Sequence, residues 1–134
     1  MEQIIKCYKM RVDSDDVYKG YIAEIENTVE AMQEFCYGYI ECINITDELV
    51  AIVNEEGKLR DLPVNRVLVE NDEKILDILA GNILVVRTNG DEFTSIEDSD
   101  IEVIEKRLLP FCGLMANKIV VYSPEHLAEW KGEP

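Results

Sequence analysis

A chain of 134 residues with 47% apolar and 31% charged side chains can bury one core and is too hydrophobic to remain disordered. Its 13 basic and 28 acidic residues give a net charge of −15, which disfavours direct binding to nucleic acid or an anionic membrane, because phosphate contacts need a concentrated basic face. The acids divide evenly, 14 in residues 1–67 and 14 in residues 68–134, so the charge belongs to the folded body and not to a tail.

In chain order, "IIKCYKMRV" and "YKGYIAEIE" read as two β-strands separated by the polar "DSDD". The period then changes. In "NTVEAMQEFCYG", Asn27 or Thr28 is placed to cap a helix over about 28–37, with Val29, Met32, Phe35 and Cys36 on one face. Gly38 sits where a left-handed C-terminal cap belongs. "YIECINI" and "LVAIVN" follow as strands around the polar "TDE". "NEEGKLRDLP" is a turn, with Gly57 expected to supply a positive φ, leading into an extended segment after Pro63. "NDEKILDILAG" is read as a short helical turn closed by Gly81. "NILVVRT", Asn89-Gly90 and "EFTSI" form a hairpin, for which Asn-Gly favours a type I′ turn. "EDSDIEVIEKRLL" is a second helix with Ile101, Ile104 and Leu108 on one face. Acids open it, Lys106 and Arg107 lie near its end as the helix dipole favours, and Pro110 limits it. "NKIVVYS" is a further strand, and "SPEHLAEW" a terminal helix with Ser123 as cap and Pro124 at its first position. Most loops between strands are too short for parallel crossovers. The expected fold is therefore α+β: a mostly antiparallel sheet with two or three helices packed against it, in a single domain spanning 1–134.

Several chemistries are poorly served by this sequence. The four cysteines (Cys7, Cys36, Cys42, Cys112) form no CxxC pair, and His126 is the single histidine, so zinc-site spacing is absent and the thiols are expected to be reduced and mostly buried. One histidine near the C-terminus is a poor basis for a nucleophile, base and orienter, and there is no P-loop or GxGxxG. Asp13, Asp15 and Glu24 fall at positions one, three and twelve of a calcium loop. Val17 and Tyr18, however, occupy positions five and six, where an oxygen ligand and glycine belong, so a solvated acidic turn is the better reading. No catalytic residue, metal or cofactor is expected. Apolar runs are strand-sized and short of a membrane span, and "MEQIIKCYKM" lacks the apolar core of a signal peptide, so the expected location is the cytoplasm.

Two stretches are candidates for specific contacts. In "NEEGKLRDLPVNR", Asn54, Glu55, Lys58, Asn65 and Arg66 are polar groups near one turn, and Arg66 has the fork geometry for a carboxylate or phosphate. The plainer alternative is that Asn54 and Asn65 hydrogen-bond neighbouring backbone and that Glu55 pairs with Lys58. "DEFTSIEDSDIEVIE" holds seven acids (Asp91, Glu92, Glu97, Asp98, Asp100, Glu102, Glu105) and no base, either as a solvated helix start or as a docking face for a basic partner.

"YIAEIENTVEAMQEFCYGYIECINI", "VAIVNEEGKLRDLPVNR", "GNILVV" and "GDEFTSIEDSDIE" together, in that order, resemble the bacterial and phage domain of unknown function numbered 3846 (DUF3846). "NEEGK" followed by "LPxNR" is the most specific part of the likeness. It covers a family-like core over 18–109, leaving 110–134 as a strand and helix extension. The resemblance implies a small protein of phages, plasmids and other mobile elements and implies no activity. Two functional expectations follow. One is a non-enzymatic protein that binds a host or element-encoded protein, basic or nucleic-acid-binding, through its acidic surface, in the sharper form as a nucleic-acid mimic. The other is a small-ligand module or accessory enzyme using the region from Asn54 to Arg66. The oligomeric state is left open.

Overall fold

The computed structural model describes residues 3–13, 19–71, 74–121 and 129–132. Its first sheet begins with β1 (Ile4–Met10) and β2 (Tyr21–Glu26), antiparallel with Tyr8 opposite Ile22. The helix α1 (Val29–Cys36) follows, with the Thr28 hydroxyl accepting from the Ala31 amide at 3.1 Å. β3 (Ile40–Asn44) and β4 (Leu49–Asn54) form the next hairpin, and β7 (Ile83–Asn89) runs between β4 and β1. The strand order is β2-β1-β7-β4-β3, with the short β8 (Glu92–Thr94) paired to the far end of β7.

Strand alternation sends side chains of this sheet to two covered faces, which is why "LVAIV" is apolar throughout instead of alternating. On one face Ile5, Cys7, Val50, Ile52, Leu84 and Val86 pack with Met32, Phe35 and Cys36 of α1. On the other, Tyr8, Met10, Leu49, Ala51, Val53, Ile83 and Val85 meet Ile104 of α2 (Asp100–Arg107) together with Leu68, Leu79 and Leu108 of the second sheet. That sheet has the order β11-β10-β9-β5-β6: β5 (Val64–Asn71), β6 (Lys74–Ala80), β9 (Leu108–Met115), β10 (Lys118–Val121) and β11 (Glu129–Gly132). β11 also lies against β6, so the sheet curls around Val67, Val69, Leu109, Ile119 and Val121. Every strand pair among the described residues is antiparallel, and the class is α+β as expected. Among the described residues no helix is long and apolar enough to cross a membrane.

Several local expectations are corrected. "KILDILA" is the strand β6, not a helical turn: its pairing with β5 shifts register in three places, which destroys the alternation that would have marked it. Gly81 turns the chain between β6 and β7, donating to the Pro63 carbonyl at 2.8 Å. The second helix stops at Arg107, and Leu108 and Pro110 enter β9. Pro110 stands where β9 changes neighbour, its residues 108–110 pairing with β5 and those from 111 onward with β10. In the β7–β8 hairpin the two loop residues are Gly90 and Asp91, and of these Gly90 alone has positive φ (66°), the pattern of a type II′ turn in place of I′. The left-handed cap of α1 is Tyr37 (φ 64°), one residue before Gly38. Of the expected terminal helix, Glu129 and Trp130 belong to β11, and residues 123–128 lie outside the described residues. Cys7 and Cys36 are buried as expected, whereas Cys42 and Cys112 are exposed.

Candidate functional site

The connection from Asn54 to Arg66 begins as one turn of helix. The Arg60 amide donates to the Glu56 carbonyl at 2.8 Å, and the turn closes with Asp61 to Lys58 at 3.4 Å and Leu62 to Gly57 at 2.9 Å. These are the paired bonds of a Schellman ending, with Asp61 (φ 55°) as its left-handed residue. Gly57 therefore does not supply the positive φ. Its missing Cβ instead lets it lie against β6, where such an atom would stand 3.0 Å from the Ala80 carbonyl oxygen.

This turn clamps the end of α1. Helix C-termini leave carbonyls without partners. Here Asn54 Nδ2 donates to the Cys36 and Tyr37 carbonyls at 3.0 and 3.1 Å, and Arg60 Nη1 donates to the Tyr37 carbonyl at 2.8 Å. Asn54 Oδ1 accepts from the Glu56 amide at 2.8 Å, so one side chain ties helix, strand and turn together. Tyr37 is held in its strained conformation, which costs a non-glycine residue roughly 1–2 kcal/mol, by these bonds and by its hydroxyl on Asp13 at 2.6 Å. A Cβ at Gly38 would stand 2.9 Å from Asn54 Nδ2 and 3.0 Å from Arg60 Nη1, so glycine is required there by the clamp. The stretches "CYGYIE" and "NEEGKLR" meet at this point.

At the other end of the connection, Asn65 Nδ2 donates to the Met10 and Gly81 carbonyls at 2.8 and 2.9 Å, fastening β5 to β1 and to the β6–β7 turn. Its Oδ1 accepts from Arg66 Nη1 at 2.6 Å. Arg66 is 3% exposed, and burial pulls its guanidinium down to about 10 despite the nearby Tyr8 and Glu105. Tyr8 is pushed upward by burial and by the hydrogen bond its hydroxyl donates to Glu105 at 2.8 Å. Asn54, Asn65 and Arg66 thus face into the fold. Glu55 and Lys58 are exposed, and Lys58 pairs with Asp77 of β6 at 2.8 Å, not with Glu55.

Between this turn, β3 and β6 lies an open cleft of about 280 Å³. Ile43, Val53, Ile78, Leu79 and Ala80 contribute its apolar lining, and Glu41, Glu55, Lys58 and Asp77 its charged groups. Leu59 is 84% exposed at its margin. A second, shallower concavity of about 330 Å³ lies beside α1, where Lys9 and Arg11 stand over the Phe35 ring at 4.9 and 5.3 Å. Arg11 is already engaged by Asp13 at 2.7 Å, and this guanidinium holds the Asp13 carboxyl below the usual carboxylate range.

The acidic stretch is more internally compensated than its composition implies. Asp100 lies beneath the face, 5% exposed, and receives two bonds from Arg87 at 2.7 and 3.2 Å and one from the Glu97 amide at 2.7 Å. Burial pushes its carboxyl up, but those donors outweigh it and hold the group below its ordinary value. Glu97 approaches Arg87 at 3.7 Å, Asp98 approaches Lys6 at 3.6 Å, and Glu102 pairs with Lys106 at 2.9 Å. Glu105 accepts from Tyr8, while Asp91 and Glu92 are exposed at the β7–β8 hairpin. Among the described residues no group of three or more His, Cys, Asp or Glu is placed to hold a metal.

Sequence reasoning did not single out Glu41, Ile43 or Asp77 as cleft residues, because it placed Asp77 in a helical turn. It also passed over Asn82, whose side chain accepts from the Val12 amide at 2.9 Å and donates to the Phe35 carbonyl at 3.0 Å. A lone asparagine before an apolar run carries no signal of that kind.

These features define an acidic α+β domain of two packed antiparallel sheets with a small open cleft at one sheet edge. The chain belongs to the family of the domain of unknown function DUF3846, whose family model matches residues 5–109, from β1 to the start of β9. No curated protein and no solved structure matches it.

Proposed function

We propose that this protein is a non-enzymatic binding module that engages a basic protein partner through its acidic surface. The observation that carries this reading is the charge of −15 on one compact domain, an excess that steers association with oppositely charged partners. Glu41, Glu55, Glu56, Asp91 and Glu92 support it, being exposed and in no ion pair within the described residues. In the mobile-element setting that the resemblance implies, partners of that character are DNA-binding proteins of the host or the element. The sharper form of the reading is that the acidic surface occupies their basic grooves in place of nucleic acid. The alternative of a small ligand held by Asn54 and Arg66 is less favoured, because Asn54 spends its polar atoms on backbone groups and Arg66 is buried.

The test is affinity capture from the native host's lysate, followed by titration of the captured protein at low and high salt and against duplex DNA. Affinity should fall by about tenfold or more as the Debye length shrinks to a few ångströms, and DNA should displace the protein. Binding that is indifferent to salt would overturn the electrostatic reading.

A further inference from the structure

We propose that the free edge of β3, with the cleft beside it, binds an extended basic segment of the partner as an added β-strand. This inference rests on the binding reading above and names the place and the mode.

β3 pairs with β4 alone. The Glu55 amide donates to the Tyr39 carbonyl at 2.9 Å and the Ile45 amide to the Leu49 carbonyl at 2.9 Å, which fixes the phase of the ladder between them. In an antiparallel pair alternate residues turn both backbone groups to the neighbour, so residues 39, 41, 43 and 45 face β4. The N–H and C=O groups of Ile40, Cys42 and Asn44 point outward, with no partner among the described residues. Edges are commonly blunted by lysine, proline or a bulge, and "IECIN" has none of these. The other edges are less suited to the role. β6 is irregular against β5 in three places and is approached by β11, and on β2 the outward carbonyl of Glu26 already accepts from the Thr28 amide at 2.8 Å.

The occupant's chemistry follows from what an added strand would meet. Its backbone would satisfy Ile40, Cys42 and Asn44, and alternate side chains would fall on the face carrying Glu41 and Ile43, into the cleft. That cleft has an apolar lining and three carboxylates (Glu41, Glu55, Asp77) against one ammonium (Lys58), an excess of 3 − 1 = 2 negative charges. Exposed Leu59 lies at its margin. Lysine or arginine at every second position, interleaved with β-branched residues, complements this surface. A second copy of the chain is the poorer fit, since two proteins of net charge −15 would meet acid to acid along the edge.

The test uses the full chain and two synthetic lysine-valine heptapeptides of identical composition, one strictly alternating and one with its lysines in a block. The alternating peptide should bind about tenfold tighter or better, a difference of about 1.4 kcal/mol. Amide exchange should slow on binding at Ile40, Cys42 and Asn44, with Glu41 and Ile43 already protected in the free protein. Cys42→Pro removes an outward-facing N–H without removing a ladder bond, and should abolish the preference. If that variant misfolds, an alternating peptide N-methylated at every second amide asks the same question from the other side. Equal binding of the two peptides would overturn strand addition while leaving the acidic-surface reading intact. Binding of neither would also overturn it, and the salt-dependent capture would then decide the broader reading by itself.

Discussion

The two halves of the connection between β4 and β5 are adjacent in sequence and opposite in behaviour. At its ends, Asn54, Asn65 and Arg66 are 3–4% exposed and hold the helix, the sheets and the turns together; at its middle, Leu59 is 84% exposed and Glu55 and Lys58 face solvent. Polar residues gathered in one motif need not share one role. The motif's ends are fixed by orphan carbonyls that a folded core must satisfy, and its middle faces solvent beside the cleft.

The sharpest way to break this division is Asn65→Ala. It strips the Met10 and Gly81 carbonyls of their donor and leaves the buried Arg66 without its 2.6 Å acceptor. A loss of about 3–5 kcal/mol is expected by chemical denaturation with an unchanged m-value, since one side of a buried charged contact is removed. A loss under about 1 kcal/mol would mean that the inner half is not the anchor described here.

Much of the architecture was legible in the sequence, and the failures have identifiable causes. α1 announced itself through Thr28 and the spacing of Met32, Phe35 and Cys36, and β1, β4 and β7 through runs of strand-forming residues. β6 was missed because bulges in its pairing erase the period of two, and β9 because Leu108 and Leu109 continue the apolar pattern of the preceding helix and Pro110 reads as its limit. For the candidate site, the turn was legible but the burial of its ends was not. Asn65 reaches a carbonyl 55 residues away, at Met10, and no local pattern records such a partner. The cleft was invisible for the same reason, being formed by strands from both sheets.

The acidic stretch repeats the division on a smaller scale, with Asp100 inside and Glu102 outside. Asp100→Asn should cost about 1.5–3 kcal/mol at neutral pH by removing a charge from the Arg87 contacts. Because its folded value lies below the ordinary one, the stability it contributes is present above the unfolded carboxylate range and is lost as pH falls through the folded value. The unvaried protein should therefore lose stability more steeply than the variant between about pH 5 and about pH 2. Parallel pH profiles would show that the Arg87 pair contributes nothing specific.

Gly38→Ala probes the clamp from the helix side. The added Cβ meets Asn54 Nδ2 and Arg60 Nη1 at 2.9 and 3.0 Å and inherits φ 153°, so a cost of about 1–3 kcal/mol is expected. Combining it with Asn54→Ala should be less than additive, since that change removes one of the two clashes.

The smallest effect belongs to the outer half and completes the contrast. Lys58 and Asp77 form a 2.8 Å pair with side chains 62% and 35% exposed, a geometry in which water and side-chain entropy offset the attraction. Lys58→Ala should change stability by less than about 0.5 kcal/mol. It should nevertheless alter binding, because removing the single ammonium leaves Glu41, Glu55 and Asp77 uncompensated and makes the cleft more attractive to a cationic strand. A variant of unchanged stability that holds the alternating peptide more tightly would separate the two halves completely. If Lys58→Ala weakened that peptide, whose side chains carry no acid, the ammonium would be donating to the peptide's backbone carbonyls, and the cleft's excess of carboxylates would not be what draws the strand in.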